Sequence, residues 1–221
     1  MHSLKLGLIF FMNNRLWNYK MMRQEKKYIE IAKEDLNNDK YKTSLHASHC
    51  MVYSINDGKV ILEDEYYAKA NILMQMRFDG HLGFPGGLVD DGETPEEAVT
   101  REMEEEMAMD RQKLKIDPKD HVVSHYCEEK DLVLHFFAKE VSLSLFTDIE
   151  KMCLKSHDYG SEVMGVMRIP LYTMIDGYRG FPAFLNNCFI GNSKEQLIYT
   201  LILKGIMTKE EIDKSLGAKP S

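Results

Sequence analysis

The sequence predicts an α/β protein: a mixed β-sheet with helices on both faces. Three observations carry that expectation. Apolar runs of strand length recur along the chain, as in HASHCMVY (46–53) and ANILMQMRF (70–78). Helical segments are interleaved with them rather than collected at one end, which is the element order of a layered α/β domain. One of those helices, opening at Thr94, carries complete start signals and an apolar stripe.

At 221 residues the chain suits one domain with an extension, and it is long enough to bury a substantial core. We place the boundary near residue 40. Residues 1–40 form an N-terminal extension, 41–217 the catalytic-sized domain and 218–221 a frayed tail. The formal net charge of −7 argues against nucleic-acid binding by bulk charge, so an RNA contact requires a local basic patch. Four cysteines, Cys50, Cys127, Cys153 and Cys188, lack metal-like pairing and read as reduced thiols of the cytosol or nucleus. The apolar run Leu6–Met12 is too short to span a bilayer, and no small-residue cleavage site follows it. We therefore expect no membrane association.

In chain order, Tyr19–Leu36 is charged and reads as helical, ending at Asn37-Asn38-Asp39. Lys20, Arg23, Lys26 and Lys27 form a basic cluster there. It reads either as a solvated helix face or as an RNA-facing or nuclear-import patch. His46–Tyr53 and Lys59–Leu62 read as strands of a hairpin turned at Asp57-Gly58. Ala70–Phe78 is a strand leading into Gly83-Phe84-Pro85-Gly86-Gly87, whose glycines permit close backbone approach to a ligand. Thr94 is an N-cap, Pro95 fits the first helical position and Glu97 completes a capping box. Val99, Met103 and Met107 give the helix its apolar stripe. His121–Tyr126 and Asp131–Val141 are strands, Leu145–Lys155 a short helix and Ser161–Ile169 a strand stopped by Pro170. Leu171–Phe184 is loop, Ser193–Ile206 an amphipathic helix and Thr208–Leu216 a further turn.

The chemistry is concentrated in the helix that follows the glycine loop. Seven glutamates lie between Glu93 and Glu106, with Arg101 the single base among them. Glu102, Glu105 and Glu106, at i, i+3 and i+4, share one face, where like charges repel. A divalent cation with oxygen ligands, Mg²⁺ or Mn²⁺, accounts for that placement. The bland alternative is a solvated acidic face.

Gly87, five residues, Glu93, seven residues, then Arg101-Glu102-Met103-Glu104-Glu105-Glu106 resembles the Nudix box. One position departs from it: Ala108 stands where that family has glycine, which puts the geometry of the helix end in question. The resemblance extends to Ile72–Gly80, Leu82–Gly87, Val166–Tyr172, Phe189–Gly191 and Glu195–Leu197. These segments are similar to one Nudix branch, that of the small nucleolar RNA decapping enzymes and inosine diphosphate phosphatases.

The resemblance implies a Nudix α/β/α sandwich and a metal-dependent hydrolase. It would cleave a pyrophosphate bond in inosine or deoxyinosine diphosphate, or in the 5′ cap of small nucleolar or messenger RNA, leaving a 5′-monophosphate. It implies metal ligands at Gly86, Glu102, Glu106 and His125, with Mg²⁺ or Mn²⁺ as cofactor. Glu102, Glu105 and Glu106 would supply the catalytic carboxylates, Arg101 and Glu93 their support. His49, Arg77, Phe84 and Gln196 would line a purine pocket. Read without the resemblance, His49 and His125 are strand histidines that could simply pack, and His46, His81 or His135 could take either role. The expected partners are purine nucleoside diphosphates, capped RNA and a second copy in a homodimer. The expected locations are nucleus, nucleolus and cytoplasm. The alternative function is a catalytically weak Nudix relative that binds RNA or protein.

Overall fold

The computed structural model describes residues 28–55, 60–61 and 66–220. The Leu6–Met12 run, the Lys20–Lys27 cluster and the Asn56–Gly58 turn lie outside them.

The main sheet has the order β1-β8-β9-β2-β5-β10, with β6 pairing β5 and β7 pairing β2. Its strands are β1 (Tyr28–Ile31), β2 (Leu45–Ile55), β5 (Ala70–Arg77), β6 (Leu82–Gly83), β7 (Gly86–Leu88), β8 (His121–Cys127), β9 (Leu132–Glu140) and β10 (Val163–Arg168). The β2/β9 pair is parallel and its neighbours are antiparallel, so the sheet is mixed as expected.

The strand pleat sorts side chains between two cores. Met51, Tyr53, Ile72, Met74, Phe136 and Ala138 face one side with Leu197 and Leu201. Cys50, Val52, Leu73 and Phe137 face the other, with Val99, Met103, Met107, Phe146 and Ile149. Burial on both faces explains why these strands read as nearly unbroken apolar runs. The helix α2 (Pro95–Met107) and α3 (Leu143–Met152) cover the second face, and α5 (Ser193–Leu203) and α6 (Lys209–Gly217) pack on the first. Two single-turn helices, α1 (Asp39–Lys42) and α4 (Phe181–Phe184), complete the set.

Two sequence expectations need correction. Tyr28–Ile31 is a strand, not part of a helix reaching Leu36. It pairs antiparallel with β8, Tyr28 opposite Cys127 and Ile31 opposite Ser124, and Ile31 packs with Tyr126 and Val133. The sheet therefore begins before the boundary placed near residue 40. Charged neighbours hid this edge strand, because only Ile31 turns into the core. Secondly, Val60–Ile61 (β3) pairs with Tyr66–Tyr67 (β4) in a separate two-stranded sheet, not with β2. β2 is already flanked by β9 on one side and by β5 and β7 on the other.

Candidate active site

The loop and the acidic helix meet over the centre of the sheet. Gly86 and Gly87 form β7 and pair with His49 and Ser48 of β2. Gly86 has φ +140, and a Cβ there would collide with the β2 backbone, 2.7 Å from the His49 Cα. At Gly87 a Cβ would lie 2.6 Å from the Glu102 carboxylate carbon. The glycines are thus required by close approach, on one side to a strand and on the other to a glutamate.

The helix begins as its sequence dictates. Thr94 Oγ1 accepts from the Glu97 N–H at 3.3 Å, and Glu97 accepts from the Thr94 N–H at 2.9 Å. It ends at Ala108, in the left-handed conformation with φ 50 and ψ 35, and its N–H donates to the Met103 carbonyl. Alanine has taken up the backbone geometry that glycine adopts more easily, at a cost of about 1–2 kcal/mol.

Arg101 organises the acids. Its guanidinium donates to both Glu93 oxygens, at 2.9 and 3.0 Å. It also donates to Glu102 at 2.8 Å, Glu105 at 3.2 Å and the Leu88 carbonyl at 3.1 Å. Glu106, 4% exposed, accepts a 2.8 Å hydrogen bond from the Gly86 N–H. Burial pushes its carboxyl up to about 8, against the pull of that hydrogen bond, and the nearby Glu102 charge adds to the rise. Burial also raises Glu102, opposed by Arg101 and assisted by Glu105 and Glu162.

Gly86, Gly87, Glu102 and Glu105 border a cleft of about 920 Å³, near the upper end for a small-molecule site, while Glu93, Arg101 and Glu106 lie behind its lining. Its walls include His49, Arg77, Phe84, Gly86, Glu102, Glu105 and Gln196, so most of the sequence-selected residues converge. His49 Nδ1 and Gln196 Nε2 are buried and unpartnered among the described residues. His49 is lowered to about 4 by burial, with Arg77 adding repulsion, and is neutral at pH 7. Phe84 is 4% exposed and tilts against Phe136 at 5.0 Å between ring centres.

The sheet also sorts the histidines. His46 Nδ1 meets His135 Nε2 at 2.9 Å, and His135 Nδ1 meets Ser124 Oγ at 3.0 Å. His46 and His135 point to the face opposite His49, because His46 and His49 are an odd three positions apart on β2 and His135 pairs with Ser48. His81 pairs with Asp79 at 3.2 Å outside the cleft lining. His125 sits on β8 between Glu30 and Leu134, does not line the cleft, and has its Nδ1 buried and unpartnered among the described residues.

Among the described residues no group of three His, Cys, Asp or Glu side chains is disposed to hold an ion. A smaller, oxygen-only set does fit one. Glu106 is a buried carboxylate that an ion would neutralise, the Gly86 backbone is bound to it through its N–H, and Glu102 stands against Gly87 close enough for its charge to raise Glu106.

The cleft contains residues that sequence reasoning missed. Tyr28 comes from the edge strand β1, and Asp158 and Glu162 from the loop before and the turn into β10. Asn192 and Ser193 come from the start of α5. No local motif marks them; the glycine at 191 was the only available signal.

An α/β/α sandwich carrying a glycine loop against a glutamate-bearing helix defines a Nudix-type hydrolase domain. The family model described as "Nudt16-like: U8 snoRNA-decapping enzyme-like" matches residues 46–207, and the chain belongs to that family. Its relatives include the U8 snoRNA-decapping enzyme of Homalodisca vitripennis, 54% identical over 158 residues, 72% of this chain and 83% of that protein. The U8 snoRNA-decapping enzyme of Xenopus laevis is 39% identical over 187 residues, 84% of this chain and 86% of that one. The Tudor-interacting repair regulator protein of Homo sapiens is 35% identical over 175 residues, 78% and 80% respectively.

Proposed function

We propose that this protein is a divalent-metal-dependent hydrolase that cleaves the pyrophosphate bond of purine nucleoside diphosphates, inosine diphosphate among them, and of capped RNA. The observation that carries the reading is the buried Glu106 carboxylate, held by the Gly86 N–H and raised by the nearby Glu102 charge, directly behind Gly86 and Glu102 of the cleft lining. A raised, buried acid next to a second acid is costly for folding alone. It is accounted for if the corner takes a cation.

Gly86, Glu102 and Glu106 would hold that ion. When bound, Mg²⁺ or Mn²⁺ would offset phosphate charge and acidify a coordinated water. The chain's own groups do the remaining work. Arg101 fixes the carboxylates of Glu93, Glu102 and Glu105 in one array, so they need no reorganisation during reaction. A carboxylate among Glu102, Glu105 and Glu106 accepts the proton of the attacking water. His49, Phe84 and Gln196 hold the purine, and Arg77 faces the phosphates. Bond cleavage leaves a nucleoside monophosphate, or a 5′-monophosphate on RNA.

The names of the decapping relatives support RNA as a substrate here. The relatives named as a Tudor-interacting regulator keep a protein-binding reading in view. The complete Glu102, Glu105 and Glu106 set favours the hydrolase. Nuclear and cytoplasmic location and a homodimer are proposed with it, on resemblance. Among the described residues no helix is long and apolar enough to cross a membrane.

The deciding experiment follows products from inosine diphosphate and from capped RNA, with Mg²⁺, with Mn²⁺ and with chelator. Monophosphate products that disappear with chelator are expected. Absence of turnover on both substrates at saturating metal overturns the hydrolase reading.

A further inference from the structure

Arg77, the last residue of β5, lines the cleft. Its Nε is buried and makes no hydrogen bond among the described residues. Its charge is felt on two sides: it lowers His49 in the cleft wall and opposes the rise of Glu106 at the acid corner. Arg77 thus stands between the place proposed for the base and the place proposed for the phosphates.

Three contacts hold the side chain. A Cβ at Gly83 would lie 3.3 Å from the Arg77 Cδ, so the stem runs close across that glycine. The guanidinium carbon lies 5.3 Å from the centre of the Phe78 ring. Asp79 Oδ2 is 3.5 Å from Nε, an ion pair on that edge of the guanidinium.

Asp79 is itself held by the turn between β5 and β6. The Arg77 N–H donates to the His81 carbonyl at 2.9 Å, and the Gly80 N–H, at φ +80, donates to the Arg77 carbonyl at 2.9 Å. Asp79 Oδ1 accepts from the His81 N–H at 3.1 Å and faces the His81 ring at 3.2 Å. One carboxylate oxygen is therefore committed to the turn, and the other is directed at Arg77. Asp79 does not line the cleft.

A guanidinium matches phosphate best through a fixed pair of parallel donors. An arginine that is ordered only on binding loses side-chain freedom at that step, which weakens the complex. A carboxylate on the Nε edge leaves the two terminal nitrogens as the edge offered to a ligand, and it orders them beforehand. A partly exposed ion pair of this kind adds little to stability, so its effect is expected at the ligand rather than in the fold. We propose that Asp79 is a positioning residue for Arg77: by occupying the Nε edge it aims the terminal nitrogens at the phosphates of a bound nucleotide. The inference rests on the reading of this cleft as a nucleotide site.

The test is a double-mutant cycle in the full chain, with melting curves for each variant. KM and kcat are measured for inosine diphosphate with Mn²⁺, and calorimetric affinity for inosine diphosphate and for inosine in chelator. Asp79→Ala is expected to raise KM roughly tenfold while kcat changes by less than about twofold. Affinity for inosine diphosphate should fall by a similar factor, and affinity for inosine, which has no phosphate, should not change. In the Arg77→Ala background the same substitution should move KM by less than about twofold, since the group to be aimed is gone. Asp79→Glu keeps the charge and should recover part of the loss. Asp79→Asn keeps an oxygen for the His81 N–H but removes the charge; it should match Asp79→Ala, and it serves if Asp79→Ala disturbs the turn.

An unchanged or lowered KM in folded Asp79→Ala and Asp79→Asn overturns the proposal. So does a loss that persists in the Arg77→Ala background, or one that affects inosine as much as inosine diphosphate. Weakened inosine diphosphate binding in Asp79→Ala, with no turnover of any substrate by wild type, would sink the hydrolase reading and leave the role of Asp79 standing. Turnover with a KM that Asp79 does not move would do the reverse.

Discussion

The Gly86 N–H donates to Glu106 Oε2 at 2.8 Å, tying the tip of the glycine loop to a carboxylate one face of α2 away from solvent. This hydrogen bond sets the acid's position while burial sets its proton affinity. Glu106→Gln preserves an oxygen for the Gly86 N–H but removes charge and basicity. Turnover is expected to fall by on the order of 10² to 10⁴. The metal-free protein should at the same time gain stability at alkaline pH. A carboxyl raised to about 8 from its usual 4.5 favours folding below 4.5, and that contribution is lost as pH rises through about 8. Urea unfolding of both proteins in chelator at pH 5 and pH 9 checks this: the wild type should weaken with pH more than the variant. Normal turnover by folded Glu106→Gln removes Glu106 from the mechanism.

Gly87→Ala tests the other glycine contact. Its Cβ would meet the Glu102 carboxylate, which must then turn away from the loop. We expect weaker activation by Mn²⁺, seen as a rise of at least about tenfold in the metal concentration giving half-maximal rate, with melting temperature little changed. An unaltered metal titration would mean that Glu102 need not stay where it is seen.

Ala108→Gly should stabilise the protein. Glycine relieves about 1–2 kcal/mol of left-handed strain and costs about 0.4–1 kcal/mol through the unfolded chain. The net gain expected in urea unfolding is about 0.5–1 kcal/mol. A loss instead would show that the Ala108 methyl group makes a contact worth more than the strain.

The buried histidines set an acid limit. His135 is lowered to about 3 and His49 to about 4, each chiefly by burial. Their neutral forms support folding above 6.5. That support is lost as pH falls from about 6.5 toward 4, by up to about 1.4 kcal/mol per unit for each. Glu106 acts in the opposite direction over the same range, so the measurement belongs in the Glu106→Gln background. There stability should drop from pH 6.5 to 5, and His135→Gln should flatten the slope. A flat profile before that second change would show that these rings protonate without opening the fold.

Two truncations separate the N-terminal segments. Removing residues 1–26 leaves β1 whole and takes away Lys20, Arg23 and Lys26. Removing 1–32 also takes the strand, Tyr28 from the cleft and Ile31 from its core contacts. The longer deletion is expected to cost at least about 2 kcal/mol, since burying an isoleucine alone is worth about 1.5–3 kcal/mol. It should also impair nucleotide turnover. The shorter one should spare turnover but weaken RNA binding and lower its salt slope by about 0.7 per lost phosphate contact. RNA affinity unchanged across a salt series would make the basic cluster a solvated surface only.

Local signals determined what lies within one element. The Thr94–Glu97 box, the Val99, Met103 and Met107 stripe, and the spacing of Glu102, Glu105 and Glu106 are set within a few turns of helix, and each was legible in the chain. The long apolar strands were legible too, because burial on both faces leaves them uniformly apolar. Pairing between distant segments was not. Tyr28 reaches the cleft because β1 adds to β8, and nothing near residue 28 encodes its partner. The sheet pleat chose His49 over His46 and His135. Asn192 reads locally as a helix cap, but beside the cleft it makes no capping hydrogen bond and its amide is buried. Sequence fixes short-range geometry through backbone and rotamer preferences, whereas long-range contacts follow from which faces can be buried together, and that choice belongs to the whole chain.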